Sequence, residues 1–211
     1  MISPEQFFSF LAAAMLITLS PGPDNLMVLS FGISRGRRQG MAFGLGCACG
    51  CLSHTLLATL GISALIAASL WAFTALKISG GLYLVWLGIQ ALKSRGSAFS
   101  TEASAGAGND SSWKLFGKGL IANAINPKVV LFFLAFLPQF VVGSHGGIAW
   151  QTAQLGIVFT LQAALLFGLL GYFSGHAGQY LARNQQAGMW LDRLAGGIFV
   201  LLGLKLIASK I

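Results

Sequence analysis

The sequence predicts an all-α integral membrane protein with six transmembrane helices, arranged as two inverted three-helix repeats whose helices 1 and 4 are broken by proline. Three observations lead there. Of 211 residues, 55% are hydrophobic and only 9% charged, against about a quarter charged in an ordinary soluble domain. Gln39 to Leu76 and Val129 to Ala182 contain no Asp, Glu, Lys or Arg; at about 20 apolar residues per crossing, the second run holds two spans and a turn. Prolines interrupt two hydrophobic runs beside single charged residues, at Pro21/Pro23 with Asp24 and at Pro127 with Lys128.

The spans are expected near residues 6–33, 40–66, 71–93, 117–141, 149–174 and 190–208. In the first, Asp24 is the only charge between Gln6 and Ser34. Continued as a helix, Pro21 and Pro23 would strip the carbonyls of Ile17 and Leu19 of their N–H partners. Hydrocarbon cannot satisfy those groups, so the break must face protein or a wet cavity. A carboxylate at that depth costs about 2.5–3.5 kcal/mol on insertion scales. An anchor needs neither feature; a transport site uses both.

The second span carries Cys47, Cys49 and Cys51 among Gly44, Gly46 and Gly50, with His54 near its middle. Only Cys47 and Cys51 share a helical face, and the three read as small packing residues rather than a redox pair. The glycine faces, Gly40 with Gly44 and Gly46 with Gly50, suit close packing within one protomer or across a homodimer. His54 reads equally as a proton relay or as a neutral interhelical hydrogen-bond partner. Tyr83, Gln90 and Gln162 are further candidates to line a cavity.

The fourth span opens with Asn123-Ala-Ile-Asn126-Pro127-Lys128, where Pro127 frees the Asn123 carbonyl. Asp24 and Lys128 each lie about ten residues from the same membrane face, so at about 1.5 Å per residue the two breaks share one level. An acid and a base can meet there, either as an ion pair that locks two helices or as the two ends of a binding site. N–H groups of the half-helix after Pro23 suit a carboxylate, while freed carbonyls and Asp24 suit an ammonium. Asn25, Asn126 and Gln139 are expected to add orienting hydrogen bonds. The phenylalanines of spans four and five read as lipid-facing bulk.

Charge clusters set the topology. Nine of the thirteen Lys and Arg residues lie in or beside the first, third and fifth connections, which the positive-inside rule places in the cytoplasm, with both termini periplasmic. The net charge of +8 therefore reports topology rather than nucleic-acid binding. The amino terminus lacks the basic region of a cleavable signal, so the first span is expected to be retained. One transporter domain spans 1–211, with three-helix units at 1–95 and 114–211 joined by a Ser/Ala/Gly-rich cytoplasmic linker at 96–113 that reads as mobile. Each unit has an odd number of spans, so a duplicated copy would insert upside down. No Gly-Lys-Ser/Thr phosphate loop, zincin motif or paired carboxylates appear; neither an enzyme nor a cofactor is expected, and gradients or partners must drive any transport.

These residues resemble the lysine exporter (LysE/RhtB-type) translocators. The resemblance rests on Ser20-Pro-Gly-Pro-Asp24, Gly32-x-x-x-Gly36, Arg37-x-x-Gly40, Asn126-Pro-Lys128 and Leu137-Pro-Gln-Phe140, and covers essentially the whole chain. It implies a multi-pass protein of the bacterial inner membrane that exports amino acids against proton entry. Pro21, Gly22, Pro23 and Asp24 would form one motif of the site, and Asn126, Pro127 and Lys128 the other. Because that family handles basic and neutral amino acids, the substrate is left open by membership. One buried acid and one buried base suit a zwitterion, such as threonine, homoserine or a leucine-like compound; lysine or arginine would call for a second buried acid. Asp24 would alternate between proton and substrate ammonium as one three-helix unit tilts against the other. The competing expectations are a metal-cation exporter using Asp24, His54 and thiols, and a membrane thiol–disulfide conduit using the three cysteines.

Overall fold

The computed structural model describes residues 2–94, 110–176 and 185–208; the expected linker lies almost wholly outside them. Among the described residues every regular element is helical. The first span is two helices, α1 (Pro4–Leu19) and α2 (Pro23–Arg35), bent by 56° at Ser20-Pro21-Gly22. Ser3 starts α1 with a reciprocal capping box to Gln6, satisfying two amide groups the helix cannot. Gly36, at φ +94°, ends α2 in the left-handed region that favours glycine and turns the chain into α3 (Arg37–Ala68). Ser69 then caps α4 (Leu70–Lys93).

The fourth span repeats the bend. α5 (Ser112–Ala124) and α6 (Pro127–Leu131) meet at 50°, with Asn126 capping α6 through its own side chain. α6 continues as a π turn (Phe132–Phe136) and a 3₁₀ turn (Leu137–Phe140). Pro138 has no N–H for the Leu134 carbonyl, so the ordinary helical register cannot run through it. α7 (Ile148–Tyr172) and α8 (Gln185–Ala208) complete the fold.

Three helices, Arg37–Gly61, Trp71–Lys93 and Ile148–Tyr172, are long and apolar enough to cross a membrane. With each bent pair counted as one further span, the described residues account for up to five. The expectation of a sixth rests on α8, which has 24 residues, about 36 Å of helix, and lies along α4. Trp71 and Trp150 are exposed at one end of the bundle, and Trp113 and Trp190 at the other. That is the placement amphipathic indoles take at the two water–lipid interfaces. Between them Leu56, Leu60, Leu161, Leu165 and Leu201 face outward.

Glycines set the helix contacts. A Cβ on Gly46 would run into the Phe116 carbonyl, and one on Gly119 into that of Phe43, so α3 and α5 pack backbone to backbone. Gly40 meets Gly32 of α2, and Gly44 meets Phe167 of α7. The glycine faces of α3 are thus filled within one chain, where the sequence left a dimer open. On the far side α4 and α8 run antiparallel: a Cβ on Gly88 would lie 2.7 Å from the Gly196 carbonyl, and one on Gly203 would lie 2.6 Å from that of Gly81. The closest pairings, α3 with α5, α3 with α7 and α4 with α8, all join the first half of the sequence to the second. The halves interleave rather than sit side by side.

One correction concerns the aromatics. Phe132, Phe133 and Phe136 of the fourth span and Phe159 and Phe167 of α7 are buried rather than lipid-facing. Phe10, Phe132, Phe133, Phe136 and Phe159 form edge-on and tilted ring pairs, such as Phe133 with Phe159 at 4.9 Å. Such pairs add about 0.5–1.5 kcal/mol beyond area burial. Phe136 stands four residues from Phe132 and three from Phe133, spacing that gathers side chains on one helical face, and all three point inward.

Candidate functional site

Broken helices leave carbonyls without partners, and here side chains supply them. Lys128 Nζ donates to the Ile17 carbonyl at 3.1 Å and to the Ser20 carbonyl at 3.0 Å. Asn25 Nδ2 donates to the Thr18 carbonyl at 2.9 Å. At the second break the Asn123 carbonyl accepts the Asn126 N–H at 2.9 Å and His54 Nε2 at 3.0 Å, so that nitrogen carries the proton. Gly22 makes room for the lysine: a Cβ there would lie 2.9 Å from Lys128 Nζ. The ammonium also stands 5.8 Å from the centre of the Phe199 ring on α8, within cation–π range.

Asp24 sits on the first turn of α2, where free N–H groups favour an anion. It is 2% exposed and accepts a hydrogen bond from Asn123 Nδ2 at 2.8 Å. Asn123, wholly buried, also accepts from the Cys51 thiol at 3.4 Å through Oδ1. Its position requires Gly50, whose Cβ would lie 2.9 Å from Asn123 Oδ1.

Asp24, Asn123 and Lys128 line one enclosed cavity with Ile17, Thr18, Val129, Phe132, Phe159 and Phe167. Its volume is about 10 Å³, the room of a single water. Ser20 Oγ, Asn25 Oδ1, Asn126 Nδ2 and Gln162 Oε1 are buried without hydrogen-bond partners among the described residues. Buried polar atoms are rarely left so, and three of these four, on Ser20, Asn25 and Asn126, sit at the two helix breaks.

Of the residues singled out from sequence, Pro21, Gly22 and Pro23 form the first break, Asn126 and Pro127 the second, and Asp24 and Lys128 face one cavity. The geometry bears on open alternatives at two places and sets one expected residue apart. Asp24 and Lys128 form no ion pair; the ammonium prefers the carbonyls that Pro21 and the turn set free. Gln139 lies in a separate cavity with Phe136, Phe140, Lys205 and Leu206, because the π and 3₁₀ turns change the helical register before it. Of its two readings, His54 takes that of an interhelical hydrogen-bond partner, on the Asn123 carbonyl, and packs 5.6 Å from the Phe133 ring. Two contributors were not singled out as site residues. Asn123 sits four residues before Pro127, the register that marks a freed carbonyl. Thr18, held by Gln162 Nε2 at 2.9 Å, stands three residues before the first proline. Among the described residues no three His, Cys, Asp or Glu side chains are grouped to hold a metal ion, and all three cysteines are free thiols.

Farther out, Gln6 Nε2 donates to Gln151 Oε1 at 3.0 Å and to the Phe140 carbonyl at 2.8 Å. Gln151 Nε2 donates to the Val142 and Gly146 carbonyls, and His145 Nδ1 meets Gln6 Oε1 at 2.8 Å. This polar cluster ties α1, α7 and their adjoining turn together at one end of the bundle. At the other end Asp110 binds Arg35, Lys114 and Lys118 at 3.4, 2.6 and 2.7 Å.

Two broken spans around a buried acid and base define a membrane translocator. The chain belongs to the LysE type translocator family, whose pattern matches residues 15–210. It is 34% identical to the threonine efflux protein of Escherichia coli (strain K12), over 95% of this chain and 98% of that one. It is 29% identical to the homoserine/homoserine lactone efflux protein of Salmonella typhimurium, over 98% of both chains. An uncharacterized membrane protein of Bacillus subtilis, YrhP, is 30% identical over 95% of this chain and 98% of its own. No solved structure matches the chain.

Proposed function

We propose that this protein exports neutral amino acids of the threonine and homoserine type across the bacterial inner membrane, coupled to proton entry. The observation that carries this reading is the cavity in which Asp24, Asn123 and Lys128 meet at the level of both helix breaks. Family membership and the efflux activities named for the relatives at 34% and 29% identity support the direction and the substrate class. The positive-inside pattern supports periplasmic termini, which puts the Gln6–Gln151–His145 cluster on the periplasmic side.

The Ile17 and Ser20 carbonyls already hold one ammonium, that of Lys128, so they are chemically fit to hold the ammonium of a substrate. When substrate takes those carbonyls, Lys128 is released towards the substrate carboxylate. Asp24, kept in reach by Asn123, binds the incoming ammonium or a proton, but not both at once. With room for one water, the cavity is closed in this state, and binding requires the breaks to part.

Efflux from dipeptide-loaded bacteria tests the reading, comparing wild type with Asp24→Asn at equal membrane expression. Loading with threonine- or homoserine-containing dipeptides is expected to give release above background in wild type and loss of uphill release in the variant. Absence of selective release in wild type overturns export. Normal uphill release by Asp24→Asn overturns the coupling role of that carboxylate.

A further inference from the structure

A second buried acid lies outside the site described so far. Asp192, two turns into α8, is 3% exposed. It lines a cavity of about 220 Å³ with Pro21, Gly22, Pro23, Leu26, Ala91 and Ser94, more than twenty times the volume of the inner one. The two cavities share the Pro21–Gly22–Pro23 turn as a partition, since Lys128 Nζ lies directly behind Gly22. Ser94 Oγ donates to Asp192 Oδ2, and Oδ1 has no hydrogen-bond partner among the described residues. The sequence neighbours Lys93 and Arg193 are exposed and form no ion pair with it.

We propose that Asp192 and Ser94 form a docking site for a primary ammonium group in the cavity between α2, α4 and α8, where substrate waits before crossing the Pro21–Gly22–Pro23 turn. The assignment rests on the export reading above for its place in a transport cycle, but not for its chemistry. An unpaired carboxylate inside a membrane protein is costly and tends to mark an ion or substrate path. Pro21 and Pro23, two of the wall residues, have no N–H to offer an anion, so the cavity suits a cation. One carboxylate and one hydroxyl are too few oxygens for a divalent metal; an ammonium with three donors fits. By the topology read from charge clusters, this cavity lies on the cytoplasmic side of the break, where an exporter collects its cargo.

A cysteine at Ala91 reports the local field without any transport. In detergent-solubilised protein carrying Ala91→Cys, the rates of modification by 2-aminoethyl methanethiosulfonate, a cation, and methyl methanethiosulfonate, which is neutral, give a ratio. Adding Asp192→Asn is expected to lower that ratio about tenfold, as when a charged cleft stops concentrating its counter-ion. Asp192→Glu is expected to preserve the ratio, and so is Ser94→Ala, which keeps the charge but breaks the α4–α8 hydrogen bond. A ratio unmoved by Asp192→Asn overturns the proposal, as does an equal drop with Ser94→Ala, which would make the pair a structural clasp. Should Asp192→Asn fail to fold, the Asp192→Glu and Ser94→Ala ratios decide between the same two outcomes. In efflux, Asp192→Asn is expected to raise the internal concentration for half-maximal release and leave the maximal rate unchanged. A changed thiol ratio without any amino-acid efflux would overturn the export reading and leave the docking site standing.

Discussion

Replacing Asn123 with alanine removes the one amide that holds Asp24. Two terms bracket the energy lost. Interhelical hydrogen bonds within membranes average about 0.6 kcal/mol and reach about 1.7, whereas bonds to charged groups are worth about 1.5–3 kcal/mol. The bond from Asn123 Nδ2 to Asp24 Oδ2 is short at 2.8 Å and fully buried, so the two ranges meet near 1.5 kcal/mol. Asn123→Ala also loses the Cys51 contact and opens space beside Gly50, costs that have nothing to do with Asp24. A double-mutant cycle separates them. Unfolding of wild type, Asn123→Ala, Asp24→Ala and the double variant would be followed by SDS titration in mixed micelles. The expected coupling is about 1.5 kcal/mol, with Asn123→Ala much less harmful once Asp24 is gone. A coupling under about 0.5 kcal/mol, where independent sites fall, would refute the claim that Asn123 positions the carboxylate.

Gly46→Ala is expected to force α3 from α5 and cost about 1–3 kcal/mol. Gly117→Ala, with nothing within 4 Å of its Cβ, should be neutral or stabilise by up to about 1 kcal/mol; the same titration compares them. His54→Leu should cost about 0.5–1.5 kcal/mol and leave the pH dependence of efflux unchanged, because the ring supports the Asn123 carbonyl and does not line the cavity. Hydrogen bonds from Lys114 and then Lys118 hold the Asp110 carboxyl well below the usual carboxylate range. Its contribution to stability is thus fully present above the unfolded value of about 3.9 and lost as pH falls through the lower folded value. The stability gap between wild type and Asp110→Asn should therefore be constant from neutrality down to about pH 4 and close only below it.

Both breaks were legible because proline acts locally: Pro21 removes the partner of the Ile17 carbonyl, and that carbonyl is found on Lys128. Depth was legible too, since residue counts along helices place Asp24 and Lys128 at one level. Azimuth was not. Whether Lys128 turns to Asp24 or to the carbonyls depends on a 56° bend that no periodicity reports. Gln139 was misdirected for a related reason: the π turn from Phe132 to Phe136 breaks the 100° step that sequence reading assumes. Asp192 was not singled out from the sequence, where it falls in the first turn of the expected sixth span. α8 begins at Gln185 instead of near 190, which places Asp192 two turns into the helix rather than in its first turn, and the apolar Met189-Trp190-Leu191 before it was the available signal.

The paired glycines of α4 and α8 have a mechanical consequence. Backbones that touch at two levels seven residues apart can neither tilt nor slide past each other without a carbonyl meeting a Cα, so α4 and α8 move as a single rod. The same reasoning welds α3 to α2, α5 and α7. Contacts between these two bodies are sparse, made mainly where α4 meets the π turn, with a few to α3 and from α8 to α1. One seam is left along which the molecule can open without undoing its tightest packing, and it does not divide the chain at its midpoint. The vestibule of Asp192 lies on that seam, and so does the Phe199 ring that faces Lys128.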